Sequence, residues 1–306
     1  ESRELSNMQN IYTGNCEGFP CIDARCIPHH IWCGNKMENY DTLVLSGNST
    51  NALSHLGAIQ RLFDSETLKQ DSITHFYGTS SGSLICTLLA VGFEPIEILA
   101  NICANGSYSK ISGINLANIT NGCVMNFDPI ERELEELIET KLGYVPTIGH
   151  VKEHFGKTLV FVTYNISVGK KQFLTPETFP DLLVTTASRM SSSFPFVFAP
   201  YKYQENFYID GGIVENFPMM TAQMAGRKCF GIFNNNPVKP YTPEMSYIEL
   251  FFRLITVFVS SSADNIVAFD GSKILKLSYE PSFFNFSSNN FALIEMFNKG
   301  HDAAAK

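Results

Sequence analysis

The 306-residue chain has no surplus of basic residues: Lys and Arg number 22 against 30 Asp and Glu, a formal net charge of −8. A nucleic-acid partner needs a basic stripe to neutralise phosphates, and the absence of any basic run excludes that class. The same deficit excludes strong electrostatic recruitment to anionic membranes, so any membrane contact has to be apolar and local. Also missing is an uncharged apolar run of about 18 residues, the length that spans a bilayer. The best stretch, Tyr247 to Ser261, is broken by Glu249 and Arg253, so no transmembrane segment is expected. Trp occurs once against 25 Phe, an imbalance from which no cofactor is read. Repeats and low-complexity segments are absent.

What the chain does contain is enough apolar residue (44%, with 17% charged) for one large α/β domain and an appendage. Four of the eight cysteines, Cys16, Cys21, Cys26 and Cys33, fall within the first 33 residues. The segment 1–40 is polar and lacks clean periodicity, so a boundary is drawn near Asn39–Asp41, leaving a small Cys-rich arm (1–40) ahead of a domain over 41–306. A disulfide-stapled arm is the leading expectation, which favours a secreted or lumenal compartment. A zinc site using His29 or His30, and reduced thiols, remain as alternatives.

Beyond the boundary, strands and helices alternate, the pattern of a mainly parallel sheet covered on both faces. Leu43–Gly47 reads as a strand, Ser54–Leu62 as a helix, Ile73–Tyr77 as a buried strand and Leu84–Ala90 as the next helix. Pro95–Ala104 reads as a helix, as does Asp128–Glu139, with Asp128 at the N-cap, Pro129 at N1 and an acidic, solvated face. Thr158–Asn165 and Lys171–Leu174 read as strands joined by a Val168–Gly169 turn, and Cys229–Phe233 as a further strand. The segment Met245–Val259 carries a wide apolar stripe that suits either a core helix or a lipid-contacting one.

Between the Ile73–Tyr77 strand and the Leu84–Ala90 helix lies Gly78-Thr79-Ser80-Ser81-Gly82. G-x-S-x-G alone is weak, but between a strand and a helix it becomes a nucleophile elbow. Flanking glycines relieve collisions with neighbouring backbone, and the serine hydroxyl stands exposed at a helix N-terminus, whose dipole favours a developing oxyanion. Ser80 is the candidate nucleophile. Much later comes Asp210-Gly211-Gly212, which by itself is an ordinary turn sequence.

Together with Leu43–Gly47, Leu159–Asn165, Ala187–Pro195, Tyr208–Pro218 and Lys299–Ala304, these segments resemble, in order and spacing, the patatin-like lipid acyl hydrolases from about residue 42 to the C-terminus. The resemblance implies a three-layer α/β fold and hydrolysis of acyl esters of phospholipids or neutral glycerolipids at a membrane or lipid-droplet surface, without cofactor or metal. It also implies a Ser–Asp dyad in which Asp210 accepts the Ser80 proton. A triad of Ser80, Asp210 and His301 is the competing arrangement, and His55 is read as packing. One departure stands out. Where the family carries G-G-G-x-[KR]-G as its oxyanion hole, this chain has Gly47-Asn48-Ser49-Thr50-Asn51-Ala52. Backbone donors persist at Gly47, Asn48 and Ser49, but the freedom of glycine at the second and third positions is lost. A catalytically impaired lipid-binding scaffold on the same fold is therefore the alternative function.

Overall fold

The computed structural model describes residues 39–106, 123, 125–235, 240–246, 250, 253–254, 257, 259, 266–269, 271–278 and 289–305. The segment carrying Cys16, Cys21, Cys26 and Cys33 lies outside the described residues, as does most of the 245–259 stretch. Of that stretch, Leu254 is exposed and Val259 is buried.

The domain begins with β1 (Thr42–Leu45), a 3-10 turn over Ser49–Asn51, α1 (Ala52–Asp64), β2 (His75–Thr79) and α2 (Ser81–Ala90). Next come α3 (Pro95–Asn105), α4 (Asp128–Leu142), α5 (Ile148–Phe155), and the strands β3 (Thr158–Asn165) and β4 (Lys170–Leu174). After α6 (Val184–Ser192), β5 (Tyr201–Tyr203) and β6 (Asn206–Asp210) pair as a second hairpin, and the short α7 (Gly212–Glu215) and α8 (Met219–Met224) follow. Then come β7 (Cys229–Asn234), β8 (Lys273–Leu277) and α9 (Asn290–Ala303).

The strands form one mixed, mostly parallel sheet: β3, β2, β1, β7 and β8 run parallel, while β4, β5 and β6 join antiparallel. Strand side chains alternate faces, and here both faces are buried. Leu43, Leu45, Phe76, Leu159, Phe161, Phe230 and Ile232 enter the larger core with residues of α1, α2 and α4. Val44, Tyr77, Val160, Cys229 and Phe233 point the other way, onto Phe217 and onto Met219 and Ala222 of α8. This is the helix–sheet–helix layering that the strand–helix alternation predicts. Helix α9 closes the larger core against α1 so tightly that side chains at Gly57 and Gly300 would collide with the carbonyls of Phe297 and Ser54.

Two local expectations are corrected. Strand β2 runs two residues later than read from the apolar run, because its pairing begins at His75 opposite both Thr42 and Thr158. It thus includes Gly78 and Thr79 and delivers the chain directly to Ser80. Helix α4 has Phe127 at its N-cap and Asp128 as its first residue, and Asn126 Oδ1 accepts the Asp128 N–H at 3.0 Å. Its acidic run is not uniformly solvated either. Glu133 is buried, and Glu131 lies 3.5 Å from Arg189.

One feature of the sheet positions the site. Strand β4 pairs with β3 from Phe161 to Asn165, overlapping both the β2 pairing (Thr158 to Val162) and the β6 pairing (Thr163 to Asn165). Since β4 occupies one edge of β3, β2 and β6 share the other and meet there end to end. Thr79 lies opposite Val162 and Asp210 opposite Thr163, so the last residues of the two strands converge.

Candidate active site

Ser80 follows the last residue of β2 with φ 54° and ψ −130°, a conformation sparsely populated by non-glycine residues. Its neighbours show what permits it. A Cβ at Gly78 would lie 2.8 Å from the Ser83 backbone, and one at Gly82 would lie 2.6 Å from the Leu45 carbonyl. Helix α2 therefore packs with its first turn directly against the ends of β1 and β2. The Ser80 N–H donates to Ser191 Oγ at 3.0 Å, and Ser191 Oγ donates in turn to the Val162 carbonyl at 2.7 Å. The strained elbow is thus pinned to β3 through α6.

Asp210, the last residue of β6, is completely buried. Its N–H donates to the Ser193 carbonyl at 2.9 Å, and the Gly211 N–H donates to the Ser191 carbonyl at 3.3 Å. The end of α6 therefore holds the aspartate as well as the serine. Asp210 Oδ1 accepts the Gly212 N–H at 2.6 Å, whereas Oδ2 makes no full hydrogen bond. Burial pushes the carboxyl pKa up to about 7; the nearby Ser80 hydroxyl and the Gly212 N–H, as donors, offset part of that rise.

The loop after β1 is clamped to the Asp-Gly-Gly turn by a reciprocal pair. The Gly47 N–H donates to the Asn216 carbonyl and Asn216 Nδ2 donates to the Gly47 carbonyl, both at 3.1 Å. A Cβ at Gly47 would meet Asn216 Oδ1 at 2.5 Å and Ser80 Cβ at 2.9 Å, so only glycine fits. The Asn48 N–H donates to Ser81 Oγ at 2.9 Å. Asn48 has φ −150°, and it is Ser49 that adopts positive φ, at 48°. Asn tolerates that region more readily than Ser, yet it is the serine that occupies it.

Ser80, Asp210, Gly47, Asn48 and Ser49 all line one cavity of about 200 Å³, together with Ser192 and Asn234. The Ser192 hydroxyl and the Asn234 side-chain carbonyl are buried without hydrogen-bond partners. Beyond these groups, Asn216 and Glu133, the walls are mostly apolar, from α1 to α4 and from Phe127, Phe194, Phe198, Phe233 and Val259. Arg189 supports one wall from outside. Buried on α6, it stacks 4.5 Å from the Phe127 ring and lies 3.3 Å from Asp128.

His301 is not brought to this site. It lies 3.7 Å from Asp64, at the far end of α1, whereas Ala52 at the start of α1 lines the cavity. The helix between them is about 18 Å long. His301→Ala is therefore expected to leave turnover of a short-chain ester within a few-fold of the parent, where a triad histidine would cost roughly 10⁴; steady-state kinetics on the purified variant measure it. His55 is fully buried in α1 with neither ring nitrogen hydrogen-bonded, and burial alone lowers its pKa to about 3. It packs as a neutral ring. Among the described residues no cluster of His, Cys, Asp and Glu could hold a metal ion, and no single helix is long and apolar enough to cross a membrane.

Ser191, Asn216 and Arg189 are supporting residues that sequence reasoning passed over. Ser191 and Arg189 lay inside the segment Ala187–Pro195, and Asn216 inside Tyr208–Pro218, but their partners are up to 169 residues distant.

Comparison with known proteins places the chain in a family. The Patatin-like phospholipase family matches residues 43–222. A protein of Invertebrate iridescent virus 6 named "Probable lipid hydrolase 463L" is 30% identical over 283 residues, 88% of this chain and 89% of that one. An uncharacterized protein of Acanthamoeba polyphaga mimivirus is 28% identical over 184 residues, covering 58% of this chain and 59% of its own. Among solved structures, VipD from Legionella pneumophila superposes with a TM-score of 0.52 at 16% identity, over 87% of this chain and 66% of VipD. That likeness bears on the fold alone. The chain belongs to the patatin-like phospholipase family, a family of lipid hydrolases.

Proposed function

We propose that this chain hydrolyses acyl esters of phospholipids or neutral glycerolipids with a Ser80–Asp210 dyad, acting on lipid at a membrane or lipid-droplet surface. The observation that carries the reading is the end-to-end meeting of β2 and β6, which brings a strained serine beside a buried carboxyl at the head of an apolar cavity. In the acylation step Ser80 Oγ bonds to the ester carbonyl carbon as its proton passes to the Asp210 carboxylate, and the carbonyl oxygen takes the negative charge. Collapse breaks the bond to the leaving alkoxide, which takes the proton back from Asp210. Water then repeats both steps on the acyl-serine and frees the acid.

Oxyanion stabilisation is assigned to the 47–49 loop. Gly47 contributes clearance beside Ser80, since its N–H is already bonded to Asn216. The Asn48 and Ser49 N–H groups are the donors, with the Asn48 N–H exchanging the Ser81 hydroxyl for the substrate oxygen. Because the base must be ionised, the rate rises with pH through the Asp210 pKa near 7. The bond from Asn48 to Ser81 also favours a second reading, a lipid-binding protein whose oxyanion donor is blocked.

Labelling with a fluorophosphonate probe, followed by peptide mapping, separates the two. Modification at Ser80, lost in Ser80→Ala, is the expected result. A folded protein that neither labels nor turns over any activated ester would leave the scaffold reading standing.

A further inference from the structure

Resting on the reading above, we infer that the cavity takes a single extended acyl chain of medium length, and that Leu88 and Ile98 set where the chain must stop. The cavity has a polar head and an apolar body. At the head lie Ser80 and Asp210, with the unpaired Ser192 hydroxyl and Asn234 carbonyl oxygen beside them. Buried polar groups without partners are costly, so that end suits the ester and its glycerol oxygens.

The body follows α2 away from the serine. Ser81, Leu84, Ile85 and Leu88 all line it, the i, i+3, i+4, i+7 stripe of one helix face. The opposing walls come from Leu56 on α1 and Leu134 on α4. Apart from Glu133 on α4, the body carries no charged side chain. A chain whose carbonyl sits at Ser80 therefore has an apolar path along α2 toward its C-terminus.

That direction ends where α2 ends. Helix α3 begins at Pro95, directly after the turn that follows Ala90, so Ile98 in its first turn faces the same end of the cavity as Leu88. Both are buried, Leu88 to 6% exposure and Ile98 to 1%. From Ser80 to Leu88 the helix rises about 12 Å. An extended chain advances about 1.2 Å per bond, so the body accommodates about ten chain atoms.

The test is a chain-length profile with p-nitrophenyl acetate, octanoate, decanoate and hexadecanoate. For the parent, kcat/KM should climb to the octanoyl and decanoyl esters and fall for hexadecanoyl. Leu88→Trp should lower the octanoyl-to-acetyl ratio roughly 30- to 100-fold, the burial of about three methylenes. Ile98→Ala should move the optimum to longer chains, and it decides the matter if the tryptophan variant fails to fold. Ser80-dependent turnover with unchanged ratios in the folded variants would overturn the inference while leaving the catalytic reading intact. A binding measurement separates the converse case. Methyl octanoate, followed by isothermal titration calorimetry, should bind Ser80→Ala, and Ser80→Ala combined with Leu88→Trp should lose it. No binding by folded Ser80→Ala would sink the tunnel whatever the hydrolysis results.

Discussion

Asp210→Asn is expected to abolish ester turnover and, at the same time, to make the protein more stable above neutral pH. The loss of activity follows from chemistry, since the amide cannot take the Ser80 proton. The gain in stability follows from burial. The carboxyl titrates near 7 in the folded chain, against about 4 for an unfolded aspartate. Between those values the unfolded chain releases a proton that the folded chain retains. Asp210 therefore lowers stability progressively as pH rises from about 4 to about 7, and the deficit persists at higher pH. Removing the ionisable group lifts a penalty of roughly 2–4 kcal/mol. Urea unfolding should show Asp210→Asn more stable than the parent at pH 8, with the difference shrinking toward pH 4. Ser80→Ala should be equally inactive without that pH-dependent gain. Substantial turnover in Asp210→Asn would remove the dyad from consideration.

Ser191→Ala should reduce kcat on the order of 10²-fold with little change in KM, although Ser191 does not act on substrate. Its hydroxyl is the acceptor for the Ser80 N–H and the donor to the Val162 carbonyl. Without it the elbow loses the bond that holds its positive φ, and small misplacement of a nucleophile costs about that factor. A second readout distinguishes this from general loosening. The Ser80 hydroxyl, as a donor, holds the Asp210 pKa below where burial alone would set it. Displacing Ser80 should therefore move the acid limb of the kcat/KM profile to higher pH, and Ser191→Thr, which keeps the hydroxyl, should restore both rate and profile. A lower melting temperature with kcat and the pH limb unmoved would make Ser191 merely structural.

The elbow was legible because its logic is local. Gly78 and Gly82 sit within two residues of Ser80, between a strand and a helix that are contiguous in sequence, and the Gly78 collision is with the first turn of that same helix. The alternation of strands with helices likewise announced a sheet buried on both faces, as β1, β3 and β7 are. The acidic stretch of α4 was misread for the opposite reason. Charge along a helix predicts solvation only if its neighbours are known, and Glu131 meets Arg189 across 58 residues. The loop after β1 was legible as altered, but not which residue would carry the positive φ, because Asn48 is held by the hydroxyl of Ser81.

By itself the sequence determined the layer order and the candidate nucleophile, since these rest on strand–helix alternation and short-range sterics that survive without knowledge of partners, while the family came from likeness to relatives. It also pointed to Asp210, though only through likeness to relatives; nothing in Asp-Gly-Gly distinguishes a base from a turn. The tertiary structure decided the rest. Strand β3 exchanges β2 for β6 along one edge, and that exchange alone makes residues 80 and 210 neighbours. The elevated pKa of Asp210, the reciprocal Gly47–Asn216 clamp and the apolar path along α2 depend on burial and on contacts between distant segments. These are properties of the packed interior, where removal from water sets the electrostatics and shape sets the ligand, and no single stretch of chain contains them.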